Sequence, residues 1–289
     1  MFTTIRRVAL TGVLAALAGA QAWAVTPITG CPFIITVPGN YVVTTDLSCG
    51  GIGIVVNASN VSINLNGHII QAPIGVPTPP FGIEVQPPGL ARLSQIGISG
   101  PGLIQGYSQG IVISSSDYVQ VSLMVLADNA LAGISGSNVT ALTIGGNVIG
   151  GTTIGPGLQL NLSTGAQVTG NQMVGNALGI ALQSGDSNVL TGNVVSGNTG
   201  SGIVLGIGPL TNSRISSNTT NVNGHAGIEV LFMPPSTFFG NQIFNNTSSV
   251  GNKAFDLEDA NPSCGTDFWS GNVHFTTFQT PPPPPSCVK

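Results

Sequence analysis

Charge is what this chain most conspicuously lacks. Only 6% of its 289 residues are Asp, Glu, Lys or Arg, against about 25% in ordinary soluble proteins. Two of the six basic residues, Arg6 and Arg7, fall within the first ten positions, which leaves Arg92, Arg214, Lys253 and Lys289 to face ten acidic side chains. A phosphate backbone finds little to hold on such a surface, so nucleic-acid partners are excluded. Long apolar runs are missing as well: beyond the N-terminus no stretch stays apolar for the roughly 18 residues that a membrane span requires. Nor do apolar residues recur at three- and four-residue spacing over a helical length, which excludes a helical protein. Disorder, the obvious alternative for a Gly-rich chain, does not fit regularly placed Ile, Val and Leu with low net charge.

The first segment, "MFTTIRRVALTGVLAALAGAQAWA", has a basic start, an apolar centre and the small-residue pattern Ala22, Trp23, Ala24, which reads as a cleavable signal peptide over residues 1–24. The rest of a twin-arginine signal is missing and no cysteine follows Ala24 to take a lipid anchor. A soluble mature protein beginning at Val25, secreted or periplasmic, is expected. Cys31, Cys49, Cys264 and Cys287 form an even set, which in an exported chain favours disulfides over metal ligation and allows three pairings.

What is abundant is a rhythm. In "GNQMVGNALGIALQSGDSNVLTGNVVSGNTGSGIVL" glycine-asparagine occurs twice, then glycine-isoleucine, and the pattern restarts. Glycine followed by an apolar residue recurs at Gly53, Gly82, Gly110, Gly133, Gly157, Gly179, Gly202 and Gly227, with a degenerate copy at Ala254, at separations of 29, 28, 23, 24, 22, 23, 25 and 27. A second series, Asn147, Asn171, Asn193, Asn218 and Asn241, keeps separations of 24, 22, 25 and 23. Within each unit "GIALQ", "GIVLG" and "GIEVL" alternate apolar with other residues, which is strand periodicity.

Short strands repeating every 22–25 residues without helices match one coil of a parallel β-helix. Propeller blades need about 40 residues, and the leucine framework of leucine-rich repeats is missing. Gly and Asn suit the corners between strands, and Asn171, Asn193, Asn218 and Asn241 are expected to stack as a ladder. The expected fold is all-β: a single-stranded parallel β-helix of eight or nine coils, each about 4.8 Å from the next. Such a column keeps the ends of the chain roughly 40 Å apart, and a disulfide tolerates about 7 Å between Cα atoms. Cys31 with Cys49 and Cys264 with Cys287 is the pairing that survives. The expected organisation is an N-terminal cap at 25–51, repeats at 52–260, and a C-terminal cap with a Pro-rich tail at 261–289. Closed ends leave a monomer as the expected state.

The segments "CPFIITVPGNYVVTTDLSC", "ASNVSINLNGHII" and "GISGPGLIQGYSQGI", with the later coils, resemble the right-handed parallel β-helix proteins of the pectin-lyase-like superfamily, particularly the exported NosD-like and carbohydrate-binding-and-sugar-hydrolysis repeat types. The likeness covers nearly the whole mature chain. It implies right-handed winding and, where such proteins cleave acidic polysaccharides, an outer groove lined by carboxylates, a bound cation, or Lys, Arg and His. It does not fix an activity, since function resides in sites grafted on the fold.

The few ionisable residues make the search for such a site short. With Ile228, Val230, Phe255 and Leu257 pointing inward, Glu229 and Asp256 are expected to point outward on successive coils, with His225 four residues before Glu229 and with Lys253 and Glu258 flanking Asp256. Glu229, Asp256 and His225 are the candidate catalytic residues, and Glu229, Asp256 and Glu258 the candidate ligands of a Ca²⁺ ion. No other cofactor is expected, and three scattered histidines offer no copper site. "NGHAG" at Asn223–Gly227 superficially resembles the Gly-His-Gly motif of polygalacturonases, but the preceding coil supplies no aspartate. His68, Asp117, Asp128 and Asp186 are expected to be structural. Asn-X-Ser/Thr sequons at Asn57, Asn60, Asn138, Asn161, Asn218, Asn245 and Asn246 are by-products of the coil composition. The low charge of the outer face points to a non-catalytic exported protein presenting a polar surface to a glycan or the cell envelope. The alternative is a polysaccharide lyase, hydrolase or epimerase working near Glu229.

Overall fold

A computed structural model of the chain describes residues 24–75, 78–206, 208–231, 238–248, 251–261, 267–279 and 288. Its architecture is a parallel β-solenoid of about ten turns, with no helix among the described residues. The count exceeds eight or nine because residues 25–51 already wind in register with the column: Gly39–Val43 pairs with Val61–Asn64, and Phe33–Ile35 with Ile54–Val56. Cys31 and Cys49 are joined across this first stretch, with Cα atoms 5.9 Å apart. The expected bridge between Cys264 and Cys287, like the signal peptide, lies outside the described residues.

Each coil contributes to three faces. The first stacks strands such as Leu178–Leu182, Ile203–Leu205, Ile228–Val230 and Leu257–Asp259. The second stacks Val189–Thr191, Arg214–Ser216, Gln242–Phe244 and Phe268–Ser270. The third is a separate nine-stranded sheet running from Leu47–Ser48 to Thr247–Ser248. Alternation aims every second side chain inward, so like residues meet like: Ile134, Leu158, Ile180, Ile203, Ile228 and Leu257 lie in register and fully buried. Each such side chain contributes about 1.5–3 kcal/mol by leaving water.

The repeated glycines divide into two kinds. Those of the glycine-isoleucine pairs sit where adjacent coils nearly touch: a Cβ on Gly179 would lie 2.1 Å from Val195 Cγ1 and 2.3 Å from the Gly202 carbonyl oxygen. Those of the glycine-asparagine pairs turn the corner in the left-handed region, as at Gly170 and Gly192 with φ of 62° and 65°, which leaves the following asparagine free to point inward.

That asparagine closes the hydrogen bonding of the corner. Asn147, Asn171, Asn193, Asn218, Asn246 and Asn272 form one ladder in which each backbone N–H and each Nδ2 donates to the Oδ1 of the next. Each Nδ2 also donates to a main-chain carbonyl, such as Val168 for Asn193 and Leu190 for Asn218. Asn241 belongs to a different corner. It accepts from the Ser213 N–H and donates to Asp267. A third ladder runs Asn176, Asn198, Asn223 and Asn252. Asn218 and Asn246, both sequons, are thus committed to the interior, at 1% and 0% exposure.

The corners can be tested in two ways. Asn193→Ala strands the Asn171 donors and the Val168 carbonyl together, and should cost about 2–4 kcal/mol, measured by urea unfolding against Ser196→Ala on the outside. Asp267 places a carboxylate in a ladder whose other rungs, Asn188, Ser213 and Asn241, are neutral. Its Oδ2 is buried without a hydrogen-bond partner, and burial, with Asp259 adding a smaller repulsion, raises its carboxyl from 3.8 to about 6. A raised carboxyl pKa means that the folded chain holds a proton the unfolded chain has released. The associated stability is therefore complete below about pH 4 and is lost as pH rises to about 6, on the order of 2–3 kcal/mol. Asp267→Asn should flatten this part of the profile and raise the thermal midpoint at pH 7; an unchanged slope between pH 4 and 6 would contradict the assignment.

Candidate functional site

The first face carries one outward column that can be followed through the whole molecule: Val55, Glu84, Val112, Ser135, Gln159, Ala181, Val204, Glu229, Glu258 and Phe278 lie in register, coil upon coil. Glu229 is opposite Glu258, because Ile228 pairs with Leu257 and Val230 with Asp259. The expected partner, Asp256, is placed elsewhere. It is 4% exposed, and its carboxylate accepts from Asn252 Nδ2 and from the backbone N–H groups of Phe275 and Thr276, at 2.9, 2.8 and 3.1 Å. The correction is a register shift of two. The coil that carries Ile228 round to its partner Leu257 is longer than the one that carries Ile203 round to Ile228. Ala254 therefore does not continue the glycine series, and Phe255 lies half-buried, stacked on Phe278 at 4.9 Å between ring centroids.

His225 joins the pair from the corner preceding Glu229. Its Nδ1 lies 3.5 Å from Glu229 Oε2 and 3.7 Å from Glu258 Oε2. Ser201, buried on the previous coil, completes the group: its hydroxyl lies 3.2 Å from His225 Nδ1, donates a very short hydrogen bond to Glu229 Oε2, and accepts from the Ala226 N–H at 3.3 Å. The imidazole is about half exposed, whereas the Glu229 and Glu258 side chains are 14% and 13% exposed. Burial, and secondly the neighbouring Glu229 carboxylate, push the Glu258 carboxyl above its ordinary value, with His225 opposing the shift. Glu258 Oε2 is enclosed and takes no hydrogen bond.

Glu229 also ends a cavity of about 160 Å³ on the same face, whose walls include Leu178, Ala181, Gln183, Val204 and Leu231. The arrangement is therefore an apolar hollow, two partly desolvated carboxylates and an exposed imidazole, all on an outer face. Paired carboxylates and an imidazole in such a setting can exchange protons with a bound ligand or hold a cation.

Of the residues expected at the site, the fold brings together His225, Glu229 and Glu258 and removes Asp256. Lys253 is exposed, and its backbone N–H donates to the Asn223 carbonyl. The histidine of "NGHAG" follows Asn223, which is a ladder residue, so that motif is a corner. His68 pairs with Asp46 at 3.1 Å. Asp117 is held bidentately by Arg92, not by its own backbone, and Asp186 accepts from Thr211, Asn212 and Ser187. Ser201 and the apolar hollow are additions that sequence reasoning does not supply. Ser201 stands immediately before Gly202 and Glu229 two residues after Gly227, a relation visible only once the coils are aligned.

Solved structures similar to this chain share the winding. A variant of the periplasmic alginate epimerase AlgG aligns over 86% of this chain and 75% of its own, at 14% identity and a TM-score of 0.60. A DFA-IIIase from Arthrobacter chlorophenolicus A6, in complex with GF2, aligns over 86% and 68%, at 14% identity and 0.60. The enzymatically active domain of bacteriophage CBA120 tailspike protein 2 aligns over 87% of this chain, which spans about half of the tailspike (47%), at 14% identity and 0.59. At such identities the likeness is one of fold alone. No curated protein matches the chain in sequence. The family described as "Right handed beta helix region" matches residues 105–276, well over half of the sequence, and the chain belongs to that family.

Proposed function

We propose that this is an exported β-helix protein that binds a polysaccharide along its first face and acts on it beside Glu229 and Glu258. The observation that carries this reading is the convergence of His225, Glu229, Glu258 and Ser201, in a chain with so few ionisable groups, at the end of an apolar hollow. Export is supported by the signal-like N-terminal sequence and by the disulfide between Cys31 and Cys49, which belongs in an oxidising compartment. A carbohydrate ligand is supported by the similar structures, whose names include an alginate epimerase. Among the described residues that line the hollow and the carboxylate pair there is no Lys or Arg. Recognition therefore relies on hydroxyl groups meeting carboxylates and on the apolar faces of sugar rings lying over Leu178, Val204 and Leu231, which suits a neutral glycan. In this reading the two carboxyl groups serve as proton donor and acceptor, steered by Ser201 and His225.

A second reading, presentation without chemistry, is favoured by the second face. There Gln120, Thr143 and Gln167, and beside them Ser122, Gly145, Thr169 and Thr191, form uncharged outward columns in register. One experiment separates the two: mature protein is passed over a panel of neutral and acidic polysaccharides, and retained glycans are assayed for new reducing ends, unsaturated sugars or epimerised residues. The catalytic reading expects turnover that falls at least ~100-fold in Glu229→Gln and Glu258→Gln, with retention changed less than ~3-fold. Retention without product assigns the presenting role, and no retention by any glycan removes both.

A further inference from the structure

His225 Nδ1 and one carboxylate oxygen each from Glu229 and Glu258 lie within 4.8 Å of one another. The imidazole nitrogen is 3.5 and 3.7 Å from the two carboxylate oxygens, a few tenths of an ångström more than the roughly 3.4 Å edge of a tetrahedron with metal bonds of about 2.1 Å. An independent observation concerns Glu258. Its Oε2 is enclosed by protein, is without any hydrogen-bond donor, and lies among the other two ligand atoms. The imidazole is too distant to serve it, and Ser201 serves Glu229 instead. A buried acceptor left in this condition is costly, and a cation at the common point would satisfy it. Ser201 gives its one hydroxyl hydrogen to Glu229, so its contact with His225 Nδ1 is accepted from a protonated Nδ1. With the imidazole proton on Nε2 instead, Nδ1 is free for a cation while the Ser201–Glu229 bond is kept.

We propose that His225, Glu229 and Glu258 bind one divalent transition-metal ion, for which Zn²⁺ is the best-matched probe. A nitrogen ligand with only two carboxylates suits zinc, whereas Ca²⁺ prefers six to eight oxygens. The ligand set thus differs from the Ca²⁺ site expected at Glu229, Asp256 and Glu258 both in the ion and in replacing Asp256 by His225. Three protein ligands leave a coordination position open to a sugar hydroxyl or to water. The proposal shares side chains with the glycan site, so Glu229 and Glu258 would hold the ion in the loaded protein and exchange protons in the metal-free one, and ion uptake does not depend on glycan binding.

The test uses the mature protein, free of tags and stripped with EDTA, titrated calorimetrically with ZnCl₂ and with CaCl₂ in the absence of glycan. One Zn²⁺ per chain, bound at least ~10-fold more tightly than Ca²⁺, is the expected result. His225→Ala and Glu258→Gln should each weaken zinc at least ~10-fold while keeping the far-ultraviolet spectrum of the parent, and His68→Ala, remote in the fold, should leave it unchanged. No zinc uptake, uptake indifferent to both site substitutions, or calcium bound as tightly as zinc would overturn the proposal. Polysaccharide retention measured on the EDTA-treated protein keeps the two ideas apart: retention without zinc uptake removes only the metal, and zinc uptake without retention removes only the glycan.

Discussion

Vertical register is the constraint from which the rest of this molecule follows. An asparagine ladder tolerates no slip: each Oδ1 receives two donors from the coil before it, and each Nδ2 must find both the next Oδ1 and a carbonyl. A coil displaced by a single residue would turn isoleucines to solvent and strand several buried polar groups together. Three such ladders at three corners hold the coils far more stringently than the hydrophobic stack, which would accept Leu for Ile with little penalty. Extra residues must therefore be inserted between corners. The stretch from Ile228 to Leu257 shows this, since its coil is lengthened while both flanking strands keep their pairing.

The same rule explains why chemistry could concentrate where it does. A strand residue that faces outward is stacked on its counterparts above and below, so a single carboxylate among Val, Ala and Gln is isolated, whereas two in consecutive coils are forced together. Along the first face the outward column passes Val112, Ser135, Gln159, Ala181 and Val204 before it meets Glu229 and Glu258 in succession. Two like charges held at coil spacing and partly desolvated are costly. Nothing in the winding requires them, for Ala181 and Val204 occupy the same position without difficulty. Their presence is what makes this part of the column the candidate site.

Much of this is legible in the sequence, because a repeat reports its own alignment. The fold, the coil length, the Cys31–Cys49 bridge and the inward placement of Ile228, Val230 and Leu257 all follow from spacing. The errors of register share one origin. Asn241 and Ala254 stand close to one ordinary period beyond Asn218 and Gly227, but the lengthened coil moves the true counterparts to Asn246 and Asp256, so the outward partner of Glu229 falls two positions late. A period counts residues, whereas the ladder counts corners, and the two agree only while coil length is constant. Ser201 is illegible for another reason: a serine in a Ser-rich coil carries no signal until the fold sets it beside His225.

The ladders also have a direction, and it explains an oddity of composition. In the corner ladders the N-terminal coil donates and the C-terminal coil accepts. The rungs are mostly amides, but Ser213 serves with a hydroxyl that accepts and a backbone N–H that donates onward, so what every rung must supply is an acceptor. Among the described residues the last rungs of two ladders are the amides Asn272 and Asn252, whereas that of the third is the carboxylate Asp267. Asp256 and Asp259, in the same closing coils, likewise spend their oxygens on backbone N–H groups, on Asn252 and on the Trp269 indole. In a chain with so few acidic residues, three thus lie in the last described coils and take up donors there. A carboxylate accepts the Asn241 donors as an asparagine oxygen would, but it leaves Asp267 Oδ2 buried and unpartnered, and as an anion that costs more than a neutral amide would. At Asp267 the rung and the proton uptake are one feature of the fold: the enclosure that lets one oxygen accept both Asn241 donors is what desolvates the carboxylate and raises its affinity for a proton.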